Sequence, residues 1–284
     1  MTKGKVISKT VYKDDKPVKN RKWIFSRKQL CIPYGLFLFM FVIFPLLLIV
    51  FYAFTDETGK ISFYNFIDFF TNPTSITNLF MSIGLAGITT VCCLLIGYPV
   101  AYILSKMKQR VAGVIVMLFV LPMWINFVLR AMAMKELLTL IGMFGKNNFL
   151  NTVIGMVYDY LPFMIMPLYT TLIKRDRSLE EAAADLGSNR RQVFTKVIFP
   201  LSLPGVLSGI NMVFLPTMSC YVVSDTFGNG KVTIIGKLIE EQFGVAANWN
   251  YGSALALIML VIMFVTMLLT GGFKPQENMR GANL

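Results

Sequence analysis

Residues 79–104 read LFMSIGLAGITTVCCLLIGYPVAYIL, an uncharged and largely apolar run of 26 residues. About 20 such residues are enough for a helix to cross the hydrocarbon core of a bilayer. Backbone groups inside lipid must satisfy one another, which an α-helix achieves within one segment, whereas barrel strands are runs of about 10 residues that alternate in polarity. The run therefore predicts a membrane-spanning helix.

The rest of the chain repeats this pattern. Of its 284 residues, 55% are hydrophobic and only 15% are charged, which is too apolar for an ordinary soluble domain. Apolar runs that are long enough to span a membrane lie at 31–53, 79–104, 111–129, 150–173, 205–223 and 251–270. Asp159 is the single charged residue within them. We therefore predict an all-α integral membrane protein, a bundle of six transmembrane helices.

The basic residues predict the orientation of this bundle. Of the 27 Lys and Arg residues, 21 lie in the two tails and in the loops on the same side. Basic segments that flank membrane spans stay in the cytoplasm, so both termini are expected there. The expected organisation is a basic N-terminal tail at 1–30, a six-span domain at 31–270 and a C-terminal tail at 271–284. The net charge of +12 fits contact with membrane lipid, and nucleic acid is not an expected partner.

The inventory of reactive side chains argues against an enzyme. The chain has no His, and its four Cys residues lack the Cys-x-x-Cys or Cys/His spacing of a metal site. Ser-His or metal-dependent chemistry therefore has few candidate residues. We expect no catalytic residue and no metal site.

The two longest loops on the side opposite the termini carry apolar residues. Loop 54–78 is rich in aromatic residues and is expected to lie at the membrane interface. In loop 224–250, the spacing of the apolar residues predicts a short amphipathic helix. That spacing is formed by Ile234, Ile235, Leu238, Ile239 and Phe243. Glu240, Glu241 and Trp249 would meet an external binding protein or guide a cation, with ordinary solvation as the alternative.

The cytoplasmic loop at 174–204 is predicted to form two short helices. Ser178 and Glu181 have the spacing of a capping box, which would start the first helix. Gly187 would end that helix, and Ser188 would cap the next one, which would end before Pro200. The apolar face of the first helix would be formed by Leu179, Ala182, Ala183 and Leu186. Such helices either pack on their own spans or lipid, or dock a cytoplasmic partner, and the small alanines favour docking.

The same loop resembles the EAA motif of ABC importer permeases, which reads EAA, three residues, G, nine residues, I, one residue, L and P. The matching residues are Glu181, Ala182, Ala183, Gly187 and Pro200. Val197 and Phe199 stand in place of the usual Ile and Leu. In that family the loop forms a coupling helix that fits a cleft on the ATP-hydrolysing subunit. The resemblance implies that residues 179–186 form this helix here.

The resemblance covers most of the chain and includes residues that look like those of spermidine/putrescine permeases of the PotB type. It is carried by residues 157–169, 180–187, 200–205 and 221–225. It implies a second permease subunit, a pair of ATPase subunits and an extracytoplasmic polyamine-binding protein as partners. The sequence has no G-x-x-x-x-G-K-[ST] phosphate loop, so ATP and Mg are expected on the ATPase and no cofactor is expected in this subunit.

A polyamine is a polycation, so its path needs carboxylates, and aromatic faces add cation–π attraction. Asp159 would cost about 2.5–3.5 kcal/mol in lipid, which predicts that it faces the bundle interior or water. The candidate path residues are Asp225, Asp159, Tyr221, Tyr158, Trp124 and Asn126. We expect these groups to converge at one outer vestibule. The alternatives are a structural hydrogen bond for Asp159 and an interface anchor for Trp124.

Two other functions remain open from the sequence. The same importer machinery would also suit another small organic or inorganic solute. A channel or ion-coupled carrier that works without ATP would use Asp159 as its coupling site and would need no EAA loop. The loop motif therefore discriminates between an ATP-driven importer and an independent carrier.

Overall fold

The computed structural model describes residues 27–56, 58–176 and 178–270. Tail 271–284 and most of tail 1–30 lie outside this part of the chain. The helices within it are α1 (Arg27–Leu38), α2 (Phe44–Ala53), α3 (Tyr64–Thr71), α4 (Pro73–Lys106), α5 (Gln109–Val120), α6 (Phe127–Leu140), α7 (Asn148–Lys174), α8 (Ser178–Asp185), α9 (Arg190–Val193), α10 (Phe199–Ser219), α11 (Tyr221–Gly228), α12 (Ile235–Gly244) and α13 (Trp249–Leu269). Among these described residues the only β pairing is an isolated bridge between Thr55 and Ile61. The all-α prediction is thus confirmed for them.

The chain divides into two compact units, with the boundary between Leu46 and Leu47. In the first unit, α1 leads through a π turn, Phe39–Ile43, into the beginning of α2. The second unit holds the remaining described helices. The features discussed below all belong to this second unit.

Several helices are long and apolar enough to cross a membrane. In the described part of the chain these are Ile32–Ala53, Pro73–Lys106, Asn148–Lys174, Arg190–Ser219 and Trp249–Leu269. They overlap five of the six predicted spans, and the structure extends two of them, Pro73–Lys106 and Arg190–Ser219, by more than a turn at their first residues. The helical membrane bundle is confirmed, with five candidate spans, or six if one bent pair of helices counts as a span.

That bent pair replaces the predicted span at 111–129. Gln109–Trp124 and Phe127–Leu140 meet at an angle of 99°, so residues 111–129 do not form one continuous helix, and the predicted span is kept only if the bent pair counts as one. The first segment ends in a 3₁₀ turn, Leu121–Trp124, that contains Pro122. Proline has no N–H for the helical ladder and so favours a break. Asn126 then starts α6 by accepting a hydrogen bond from the Val128 N–H at 2.9 Å.

The predicted span at 205–223 is also displaced. A continuous helical segment, Arg190–Ser219, joins the second helix of the loop to the span, so the expected stop before Pro200 was wrong. A π turn, Phe194–Ile198, precedes the proline, and the Phe199 N–H donates to the Phe194 oxygen five residues back. This wider turn lets the helix continue past Pro200. The segment ends at Ser219, and α11 begins at Tyr221.

The core of the second unit is formed by α4, α7 and α10. Glycines allow their backbones to come close together. A Cβ added at Gly205 of α10 would lie 2.7 Å from Thr171 Oγ1, and one at Gly209 would lie 2.6 Å from Met164 Sδ. The helix α4 packs against the same region, because a Cβ at Gly97 would lie 3.1 Å from Met164 Cγ.

One end of this bundle, which we call the α8 end, holds the last residues of α4 and α7 together with α8 and α9. The opposite end holds the beginnings of α4 and α13, joined by a 2.8 Å hydrogen bond between Ser75 and Tyr251. There α12 confirms the predicted amphipathic helix, and Ile235 on it is fully buried. Its N–H donates to Ser82 Oγ of α4 at 2.8 Å.

Candidate functional site

The predicted coupling helix is present as α8, Ser178–Asp185. Its cap differs from the expected capping box of Ser178 and Glu181. The Asp176 carboxylate accepts a hydrogen bond from the Ser178 N–H at 2.9 Å, and this bond helps to hold the pKa of Asp176 below its usual value. Asp is as good a helix-capping residue as Ser. Asp176, two positions before Ser178, therefore caps the start of α8 in place of Ser178.

The end of α8 is fixed by Gly187, as predicted. The Gly187 N–H donates to the Ala184 oxygen at 2.9 Å, and the Ser188 N–H donates to the Ala183 oxygen at 3.1 Å. This pair of bonds is a Schellman motif, which requires a left-handed residue after the helix. Gly187 has a φ of 82°, a value at which a side chain would be strained.

The motif residues present an open face at the α8 end. Glu181, Ala182 and Pro200 are exposed, whereas Ala183 is half-buried against the main core. Leu186 is 88% exposed, so the apolar face of α8 is only partly covered by this chain. Such a face fits the docking alternative better than packing against the chain's own spans.

The second helix of the loop is capped one residue later than predicted. Asn189, and not Ser188, accepts from the Gln192 N–H at 2.9 Å. In return Gln192 Oε1 accepts from the Asn189 N–H at 3.0 Å, which completes a capping box. The amide pair satisfies two backbone groups, whereas Ser188 is used in the Schellman motif of α8.

A second candidate site surrounds Asp159 in the middle of α7. Asp159 is 1% exposed, which confirms that it faces the interior of the bundle. Its Oδ1 accepts a 2.6 Å hydrogen bond from Arg130 Nε, and Arg130 is itself buried. The Arg130 Nη1 lies 3.4 Å from the Pro122 oxygen at the bend between α5 and α6. The acid is thus one half of a buried ion pair and not an isolated carboxylate.

Sequence reasoning missed Arg130 as a site residue. It lies one position beyond the predicted span 111–129 and was assigned to a loop. The 99° bend turns α6 back so that Arg130 meets α7. Pro122 was the available signal, since a proline within an apolar run predicts a break or kink.

The ion pair lines a cavity of about 330 Å³. Its walls are formed by Met123, Ile125, Phe127, Arg130, Asp159, Tyr160, Phe163 and Cys220. Asp159 Oδ2 is buried and has no hydrogen-bond partner among the described residues. The cavity wall is therefore mostly apolar and includes one ion pair, whose carboxylate keeps one oxygen without a hydrogen-bond partner.

The other predicted path residues fall into separate groups. Tyr158 lies near the ion pair, with its ring centroid 5.9 Å from Arg130 Cζ. Asn126 caps α6 at the bend, while Trp124 is 84% exposed and lies outside the cavity lining. Its exposure agrees with the interface-anchor alternative.

Tyr221 and Asp225 group with Lys237 of α12. The Lys237 Nζ lies 5.8 Å from the Tyr221 ring centroid, 2.9 Å from Glu240 Oε2 and 4.0 Å from Glu241 Oε1. The hydrogen bond that Lys237 donates to Glu240 raises the pKa of Lys237, and the charge of Asp225 adds to this effect. We call these residues the Lys237 group, and we call Tyr158, Arg130 and Asp159 the Asp159 group. A single vestibule that joins the two groups stays a prediction.

Residues 93–277 match the family described as binding-protein-dependent transport system inner membrane component. The chain belongs to this family. It is accordingly a membrane component of a transport system and not an enzyme, as the loop motif predicted.

Relatives within this family extend the match to most of the chain. The spermidine/putrescine transport system permease protein PotB of Haemophilus influenzae is 36% identical over 247 residues, which are 80% of this chain and 86% of the relative. PotB of Escherichia coli K12 is 33% identical over 81% of this chain and 91% of the relative. The predicted resemblance to this type of permease is confirmed.

A solved structure shows the same fold at low sequence identity. It is a bacterial alginate ABC transporter in complex with an alginate pentasaccharide-bound periplasmic protein. The match has a TM-score of 0.71 at 14% identity and covers 86% of this chain and 92% of the other. The helical arrangement described above is therefore shared with a chain of that transporter.

Proposed function

We propose that this chain is the permease subunit of an ATP-driven importer that moves spermidine or putrescine across the cell membrane. The observation that carries the proposal is the 36% identity, over 80% of the chain, to a spermidine/putrescine permease. If the bent pair α5 and α6 counts as one span, the chain has six spans and both termini lie on the same side of the membrane. The excess of basic residues on that side would make it the cytoplasmic side. The α8 end is then cytoplasmic, in agreement with the basic residues Lys106, Arg175, Arg190 and Arg191 found there.

The coupling role falls to α8 and its surroundings. Glu181, Ala182, Ala183, Gly187 and Pro200 would form or support the surface that docks on an ATPase subunit. The exposed face of α8 and its fixed Schellman end support this assignment. ATP and Mg would bind on a pair of ATPase subunits, and this subunit would hold no cofactor. Closure of that pair would move α8 and shift the bundle between two states.

The remaining partners follow from the same machinery. A second permease subunit would complete the translocation path as a heterodimer. An extracytoplasmic binding protein would deliver the polyamine to the opposite end, where α3, α11 and α12 lie. The alginate transporter of the same fold binds a periplasmic protein, which supports this arrangement.

The substrate path would use the carboxylates of both groups, Asp225 in the Lys237 group and Asp159 in the Asp159 group. Tyr221 and Asp225 would bind a cationic group of the cargo at the opposite end. In the structure the Lys237 ammonium lies beside these two residues, in the place that such a group would take. Asp159 and Tyr158 would act deeper in the bundle, while Asn126 and Trp124 belong to the bend that positions Arg130. An ammonium group reaching Asp159 must share the carboxylate with Arg130, so Oδ2 is the oxygen left for it.

One observation keeps another solute as a second candidate. The Arg130 guanidinium gives the cavity no net charge, and an uncharged cavity has no general preference for a polycation. The same pair weighs against an ATP-independent carrier, because Arg130 already occupies an oxygen of the acid that such a carrier would use for coupling.

The choice of solute is tested by cargo-stimulated ATP hydrolysis. The complete complex would be reconstituted in vesicles with its binding protein and offered spermidine, putrescine, alginate oligosaccharide or an amino acid. We expect that, of these solutes, only spermidine or putrescine stimulates ATP hydrolysis. Stimulation by another solute and not by polyamines would overturn the polyamine assignment while keeping the importer.

A further inference from the structure

Glu180 lies next to the motif residue Glu181 but faces a different side of α8. Glu181 is exposed, whereas the Glu180 side chain is only 17% exposed. Its Oε1 lies 2.6 Å from Arg175 Nη2, and its Oε2 lies 3.6 Å from Lys106 Nζ. The two neighbouring acids therefore face different surroundings, one open and one internal.

The cations that meet Glu180 belong to two core helices. Lys106 is the last residue of α4, and Arg175 is the C-cap residue that directly follows α7. The Arg175 side chain is 6% exposed, and its Nε and Nη1 make no hydrogen bond among the described residues. The contact to Glu180 Oε1 is a close ion pair without an aligned hydrogen bond, since Oε1 also has none. Arg175 thus depends on Glu180 for its charge partner.

Tyr102 extends these contacts to the third core helix. The Arg175 Cζ lies 5.5 Å and the Lys106 Nζ 4.7 Å from the centroid of its ring. The same ring meets Phe194 edge-on, with 5.9 Å between centroids, in the π turn that leads into α10. We call Tyr102, Lys106, Arg175 and Glu180 the α8 clamp. It connects α8 to α4 and to the end of α7, and through the contact of Tyr102 with Phe194 it also reaches the π turn before α10.

We propose that Glu180 is a positioning residue that transmits movement of α8 to the three core helices through the α8 clamp. The inference rests on the proposed coupling role of α8. Glu181 and its neighbours would hold the ATPase, and Glu180 would hold the bundle. A helix that is docked but not clamped would follow the ATPase without moving the spans. ATP would then be hydrolysed with little transport.

A purely structural salt bridge would behave differently. Its loss would lower the amount of assembled complex, whereas the number of cargo molecules moved per ATP hydrolysed would stay the same. That ratio, measured on intact complexes, therefore distinguishes positioning from stability.

The test uses the full complex in vesicles and compares wild type with Glu180→Gln, which keeps size and removes charge. We expect normal assembly with the ATPase and a cargo-to-ATP ratio lowered about fivefold or more, the lower range of allosteric coupling effects. Glu180→Asp should retain most of the ratio, because the carboxylate is kept. The reversed pair Glu180→Arg with Arg175→Glu should recover part of it, and Arg175→Glu alone should not.

The matched control is Lys174→Gln, which removes the exposed cation next to Arg175 and should leave the ratio unchanged. A wild-type ratio in Glu180→Gln would overturn the clamp, whether or not the amount of complex falls. Glu181→Ala separates the two hypotheses. If it lowers the ratio while Glu180→Gln does not, coupling by α8 stands and the clamp is rejected; if neither does, the coupling role of α8 fails first.

Discussion

Asp159, which forms an ion pair with Arg130, has two candidate roles, structural support of the bundle and contact with cargo. The ion pair closes the bend between α5 and α6, since Arg130 reaches both Asp159 Oδ1 and the Pro122 oxygen. Asp159 also lines the cavity, and its remaining oxygen, Oδ2, has no hydrogen-bond partner among the described residues. The two roles predict different results when Arg130 and Asp159 are replaced together. Thermal stability should recover in both cases, whereas uptake should recover only if the role of Asp159 is purely structural.

Asp159→Asn should destabilise the protein, because it leaves the Arg130 charge buried without a partner. Breaking such a pair costs about 3–5 kcal/mol, whereas replacing both members with apolar residues is often neutral. Arg130→Met combined with Asp159→Leu should therefore restore thermal stability of the purified complex. If Asp159 contacts cargo, uptake should stay low in the double variant, and full recovery of uptake would leave it only the structural role.

Gly187→Ala should loosen the end of α8. A side chain at φ of 82° costs about 1–2 kcal/mol, and the Schellman motif relieves that strain by opening. We expect a lower cargo-to-ATP ratio in reconstituted complexes. Gly230→Ala is the matched control, since Gly230 has a φ of 71° in a turn at the opposite end. An equal loss of coupling in both variants would refute a specific role for the α8 end.

Among the elements, the break between α5 and α6 depends on how α6 starts. Asn126→Ala should remove the helix cap and cost about 1 kcal/mol of stability. Because α6 carries Arg130, uptake should fall together with thermal stability. Asn126→Asp keeps a capping oxygen and should retain both. Normal uptake in the alanine variant would show that the cap does not position the ion pair.

The start of α8 should depend on pH only in acid. The lowered pKa of Asp176 means that its contribution is present above the ordinary value of about 3.9 and is lost as pH falls through the folded value. The protection factor of the Ser178 amide, which corrects for the intrinsic change of exchange rate with pH, should therefore be constant from pH 5 to 8 and fall below about pH 4. In Asp176→Asn, whose amide does not titrate in this range, protection should not change with acidification. The same acid-dependent loss in that variant would contradict capping by Asp176.

For the whole molecule, local patterns predicted what depends on local composition. Apolar length identified α4, α7 and α13 within about two turns, and the motif identified α8 with its stop at Gly187. The turn chemistry was less specific, since Asp176 and Asn189 were available beside the expected caps Ser178 and Ser188. The Arg130–Asp159 pair was not predictable from hydropathy, because it requires the 99° bend and the packing of α6 on α7.

The most direct test of the account is ATP-dependent uptake of radiolabelled spermidine and putrescine into vesicles that contain the complete complex. Wild type would be compared with Glu181→Ala/Gly187→Ala, and ATP hydrolysis would be followed in the same samples. An ATP-driven polyamine importer should show uptake that requires ATP and the external binding protein and that fails in the loop variant although cargo still binds that protein. Polyamine uptake that proceeds equally without ATP or without the ATPase subunits would contradict it.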